Sequence, residues 1–147
     1  IVHETHRGKF LFNLQVFEAA AKAAPDLGIA LDISHWCTVH ESLLQDQQEA
    51  VSQALHHTRH IHSRIGFEEG PQVNDPRAPE WKPLLKQYFK WWDVVVARHK
   101  KMKRNLTVTT EFGPAPYMPL KPYSMKPISN QWDINVYMME LFKGRYK

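Results

Sequence analysis

Apolar and polar positions alternate along the chain between two periods, and the switches mark eight elements. Ile1 to His6 reads as a first strand. Phe10, Leu14, Phe17 and Ala21 then recur at helical steps, and Pro25-Asp26 and Gly28 close that helix. Ile29 to Ile33 is nearly continuous apolar sequence, the pattern of a strand buried on both faces. A second helical face carries Leu44, Val51 and Leu55 within residues 41–57, and His60 to Ile65 follows as the third strand. A loop rich in proline and glycine, residues 66–79, leads to the strongest helix, where Leu84, Leu85, Tyr88, Phe89, Trp92, Val95 and Val96 repeat at three and four. Leu106 to Glu111 is the fourth strand. A proline-rich segment, residues 113–127, precedes a last helix containing Trp132, Val136 and Met139.

Strict alternation of strand and helix predicts an α/β fold with a parallel sheet covered by helices. No Gly-x-Gly-x-x-Gly follows any strand, so a dinucleotide-binding sheet is disfavoured. The spacing suits a (β/α)8 barrel, which uses roughly 31 residues per unit. Glu4, Asp32 and His62 follow one another at close to that interval, and the long loop lengthens the step to Glu111. The expectation is a single domain over residues 1–147 made of about four βα units, half of a TIM barrel.

Composition narrows the classes. A chain of 147 residues suits one domain, and no apolar run approaches the roughly 18 residues of a membrane span. One cysteine, Cys37, excludes an internal disulfide and, with no leader pattern at the front, points to the cytoplasm. The formal net charge is +4, but Lys100, Lys101, Lys103 and Arg104 crowd the end of the strongest helix, where cations complement the helix dipole. A solvated helix end accounts for them better than a nucleic-acid surface. Nine histidines are the unusual count and point to metal or acid–base chemistry. The chain opens on a strand, Ile1-Val2-His3-Glu4, as a piece of a longer protein would.

Each strand carries an ionisable residue at its C-terminal end: Glu4, Asp32, His62 and Glu111. Any one of them reads as a surface charge capping its strand. Four at equivalent ends are costly unless they share a cation. Three carboxylates and an imidazole form a hard donor set suited to Mn²⁺ or Mg²⁺, with Zn²⁺ or Co²⁺ as alternatives. His35, three residues past Asp32, is placed over the site by a loop, and Trp36 offers an apolar wall to a substrate ring. His60, His62 and Arg64 share one face, so Arg64 is a candidate contact to a substrate hydroxyl, carboxylate or phosphate. Arg7 and Lys9 read as surface charge at a helix start, His56 and His57 as a helix end, and Trp91 and Trp92 as packing. Val2, Ala30 and Val108 are expected on the apolar inner face of the barrel wall.

The runs His3-Glu4-Thr5-His6-Arg7-Gly8, Asp32-Ile33-Ser34-His35-Trp36, His62-Ser63-Arg64-Ile65-Gly66 and Glu111-Phe112-Gly113-Pro114 resemble the sugar isomerase/epimerase group with a xylose-isomerase-like TIM barrel. The resemblance extends over nearly the whole chain. It implies that these are the last four strands of the barrel and that an N-terminal half completes it, whether as a separate chain or replaced by a second copy. It implies one divalent metal held by Glu4, Asp32, His62 and Glu111. It implies that Glu4 and Glu111 act as paired acid and base on a sugar, with His35 and Arg64 contacting that substrate. Arg64 lies closer behind His62 than the corresponding arginine of the epimerases. The expected activity is isomerisation or epimerisation by proton transfer next to a carbonyl, through an enediolate. The alternatives are a phosphodiesterase of the same barrel type, resembling the endonucleases that cut at abasic sites, and a non-catalytic barrel fragment. The partners expected are a small sugar and the other half-barrel, with no membrane and no nucleic acid.

Overall fold

The computed structural model describes residues 1–147. Four strands, β1 (His3–Glu4), β2 (Ile29–Leu31), β3 (Thr58–His62) and β4 (Thr107–Thr109), are each followed by helix: α1 (Leu14–Ala23) after β1, α2 (Ile33–Val39) and α3 (Gln48–His57) after β2, α4 (Lys82–Lys101) after β3 and α5 (Gln131–Arg145) after β4. All neighbouring strands are parallel and the sheet order is β1-β2-β3-β4, without the reversal of a doubly wound sheet. This α/β architecture is compatible with half of a barrel. The outer edges of β1 and β4 carry no further strand.

Local chemistry sets the helix limits. Asn13 caps α1 by accepting from the Val16 N–H at 2.8 Å, and Asn130 caps α5 by accepting from Trp132 and Asp133. Pro83 stands in the first turn of α4, and Arg98, His99, Lys100 and Lys101 fill its last turn. The basic cluster is thus a helix end, as expected. His56 and His57 close α3 as structural residues, their Nδ1 atoms 2.8 Å from the carbonyls of Ser52 and Leu27.

One core of 28 buried apolar residues lies between the helices and one face of the sheet. Ile29, Leu31 and Ile61 point into it and are fully buried, beneath Phe17 of α1, Ala54 of α3 and Trp92 and Val95 of α4. The register puts the alternate residues on the other face: Glu4 pairs with Ala30, Ala30 with His60, His60 with Thr107, and His62 with Thr109. His60 bridges the two threonines, with Nδ1 2.7 Å from Thr107 Oγ1 and Nε2 3.1 Å from Thr109 Oγ1. That face is therefore polar. Val108 does not belong to it, because a residue between two inward threonines points the opposite way.

Several expected boundaries move. The strands are shorter than their apolar runs, and β3 starts earlier, at Thr58. Ile33 to Val39, where a loop is expected after Ile33, is a helix, because the Asp32 side chain accepts from the Ser34 N–H and starts it at once. Leu44 is buried from the loop before α3, and Phe10 precedes α1 and is exposed. The last helix is present as expected, α5. Its buried residues are Ile134, Met138 and Phe142, whereas Trp132, Val136 and Met139 face outward, Trp132 with 75% of its surface exposed. Both sets recur at helical spacing, so contact with α4 selects the face: Phe142 packs on Trp92 at 4.9 Å and on Phe89 at 5.7 Å.

Candidate metal centre

The C-terminal ends of the strands converge. Glu4 ends β1, Asp32 follows β2, His62 ends β3 and Glu111 stands just beyond β4. One ligand atom from each of the four lies within 4.8 Å of the others. Thr5 fixes the first two strand ends to one another: its Oγ1 donates to the Asp32 carbonyl at 3.0 Å and accepts from the Asp32 N–H at 2.8 Å. Asp32 is fully buried, and one of its oxygens is held by the N–H and hydroxyl of Ser34. His62 Nδ1 faces Glu111 Oε2 at 2.5 Å and Glu4 Oε1 at 3.4 Å.

His62 Nδ1 and Glu111 Oε2 are shielded from solvent, yet neither is aligned for a hydrogen bond with any partner. Buried polar atoms ordinarily find one. Two unaligned donor atoms pressed together among carboxylates suit a cation that both can ligate. The donor set of three carboxylates and one imidazole fits a hard or borderline divalent ion. A pocket of about 470 Å³ opens on the polar face of the sheet, lined among others by Glu4, Lys9, Phe10, His60 and His62. A larger groove of about 860 Å³ lies between α3 and α4 and touches none of the four.

The charges respond to this crowding. Burial pushes the Asp32 carboxyl up to about 6, against the pull of Arg64 and the Ser34 hydroxyl. Burial also raises Glu111, but His62 and Arg64 outweigh it and bring that carboxyl below its ordinary value. For His62 burial favours the neutral ring, and Glu111, Asp32 and Glu4 reverse the balance, so the imidazole titrates above its ordinary value. Lys9 reaches back to Glu4 and forms an ion pair with it.

Arg64 lies where no substrate reaches it directly. Its side chain is 3% exposed. Nη2 is ion-paired to Asp32 Oδ2, donates to His35 Nε2 at 2.7 Å and stands 4.0 Å from Glu111 Oε2. Nη1 donates to the Glu111 carbonyl at 3.4 Å. The expected substrate contact through Arg64 is thus corrected: the guanidinium is committed to the floor of the cluster. His35 belongs to the first turn of α2, not to a loop over the site, and is fully buried. Burial, with Arg64 and His6 nearby, pushes its imidazole down to about 2, so the ring is neutral. Trp36 is corrected as well. It points away into the core, fully buried, with Nε1 donating to the Leu11 carbonyl at 2.9 Å and its ring on Phe17 at 5.6 Å.

Two neighbours lie outside the expected set. The Tyr117 ring covers the Arg64 guanidinium at 4.6 Å. Gly8 N–H donates to His6 Nδ1 at 2.9 Å, so the ring proton sits on Nε2, which faces Tyr117 Oη at 3.2 Å. His6 in turn lies on His35, ring centres 4.0 Å apart. Tyr117 sits in an irregular proline-rich segment, where no periodicity marks its direction. His6 lies two residues past Glu4, the spacing at which alternation puts two side chains on one face. Comparisons of the chain with family models, with curated proteins and with solved structures return no match.

Proposed function

We propose that this chain is the metal-binding half of a xylose-isomerase-like barrel and acts as a divalent-metal-dependent sugar isomerase or epimerase. The observation that carries the reading is the convergence of Glu4, Asp32, His62 and Glu111 from four consecutive strand ends. These residues would hold one Mn²⁺ or Mg²⁺. A bound ion of this kind polarises a carbonyl and its neighbouring hydroxyl.

The chain's own residues divide the remaining work by accessibility. Asp32 is sealed in, and its part is to hold charge and position. The Glu4 and Glu111 side chains keep 14% and 36% of their surface open, so these two carboxylates can reach a substrate carbon. One removes the proton next to the carbonyl, and the other returns a proton on the opposite face of the resulting enediolate. Thr5 ties the end of β1, beside Glu4, to Asp32, and Ser63 ties the end of β3 to the Thr109 carbonyl of β4, close to Glu111.

The partner half follows from the open sheet. Two strand edges without neighbours seek further strands. A second copy of this chain would bring another Glu4, Asp32 and Glu111 to the same barrel mouth, so a half of different sequence is the better complement.

The test is solvent deuterium incorporation into ketoses, with the assembled protein saturated with Mn²⁺. Wild type exchanges the carbon-bound proton next to the carbonyl. Glu4→Gln and Glu111→Gln each lose roughly 10²-fold or more, the usual scale for one acid or base. Variants that exchange as fast as wild type would overturn the assignment.

A further inference from the structure

Glu4 takes part in two groups of ligand atoms. It joins Asp32, His62 and Glu111 in the first, and His6 and His35 in the second, where all three atoms again lie within 4.8 Å of one another. Two groups sharing one carboxylate are the skeleton of a two-metal centre. The second group already has a cation beside it. Arg64 Nη2 is held by the Asp32 carboxylate and by a neutral His35 nitrogen at 2.7 Å, and it reaches Glu111 Oε2 at 4.0 Å. Those partners, a carboxylate and an imidazole nitrogen with a second carboxylate near, are what a divalent ion would take. Lys9 adds a further positive charge on Glu4.

We infer that the Arg64 guanidinium stands in for a second metal ion, so that this centre holds one divalent cation beside one fixed organic cation. The inference rests on the proposed metal centre and specifies it further. Three carboxylates, Glu4, Asp32 and Glu111, surround a pair of positive charges, one exchangeable and one built in. The arrangement separates this protein from two-metal phosphodiesterases, which need two ions about 3.5–4 Å apart. It also explains why Arg64 is sealed under Tyr117, with the ring 4.6 Å above it, and not presented to solvent. A cation that is part of the centre must stay in place when substrate leaves. His35 is a positioning residue here: it holds the guanidinium with Nε2, while its buried Nδ1 remains without a partner.

Removing the guanidinium should open the second position. The chain is stripped with chelator, dialysed against Mn²⁺ and assayed for bound metal and for its electron paramagnetic resonance spectrum. Wild type should bind one Mn²⁺ per chain, with the spectrum of an isolated ion, even in large excess of metal. Arg64→Ala should bind two and show the exchange-coupled signal of neighbouring ions. Arg64→Ala/His35→Ala should return to one, and Arg64→Lys, which keeps a cation, should stay at one. Arg64→Met retains the buried stem and is read in the same way as Arg64→Ala if the alanine variant does not fold. A folded Arg64→Ala or Arg64→Met protein that binds only one Mn²⁺ overturns this inference and leaves the metal centre standing. Wild type binding two Mn²⁺ also overturns it, and this measurement needs no variant. Wild type binding none overturns the metal centre itself.

Discussion

The Asp32–Arg64 pair should dominate the stability of the metal-free protein. Both side chains are buried, Asp32 at 0% and Arg64 at 3% exposure, so solvent screens neither charge. Arg64→Met keeps the apolar stem and removes the cation. It leaves a buried carboxylate whose remaining partners are the N–H and hydroxyl of Ser34. Breaking such a pair from one side costs about 3–5 kcal/mol, because the surviving charge is uncompensated. Asp32→Asn keeps the cap on α2 and strands Arg64 instead, at a similar cost. In the double variant no buried charge is left over, so its loss should be smaller than the sum of the two, with a coupling energy of about 3 kcal/mol. Domains of this size have about 5–15 kcal/mol in all, so each single variant should remain folded but weakened. The assay is urea unfolding without metal, followed by tryptophan fluorescence. With a slope of about 2 kcal/mol per molar urea, each single variant should shift its midpoint down by roughly 2 M. Single-variant losses that simply add in the double variant would refute the reasoning, since uncoupled groups cannot be compensating one another.

Metal binding should depend on pH through the same cluster. Asp32 is raised by burial to about 6 and His62 is raised by its acidic neighbours, so both hold protons that a cation must displace. Mn²⁺ affinity should fall as the pH drops, first where His62 takes up its proton, above the ordinary imidazole range, and again below about 6 where Asp32 does, with proton release on binding measured by calorimetry in buffers of different ionisation heat; equal affinity at about pH 5 and about pH 8 would contradict this. The open edges of β1 and β4 and the outward stripe of Trp132, Val136 and Met139 should make the isolated chain associate. Light scattering checks this, and a stable, cooperatively unfolding monomer would argue against a half-barrel.

Sequence by itself determined the order of the four strands and of four of the five helices, the parallel α/β class and the four strand ends that carry Glu4, Asp32, His62 and Glu111. These are local properties. A period of two or of about 3.6 shows in a short window, and a charge closing an apolar run shows in the run itself. The C-terminal end of α4 was equally legible, since the basic residues closing it act within one turn. Which face turns inward was not. Val108 lies opposite its expected side because the pairing of β4 with His60 and His62 puts Thr107 and Thr109 on the polar face. In α5 apolar residues stand on more than one side, and contact with α4 buries Ile134, Met138 and Phe142 while Trp132, Val136 and Met139 face outward. The largest reassignment concerns Arg64, whose neighbours Asp32 and His35 come from a segment some thirty positions earlier in the chain. Whether an arginine meets solvent, substrate or a buried carboxylate depends on what tertiary packing places at the end of its side chain, and no local pattern encodes that distance.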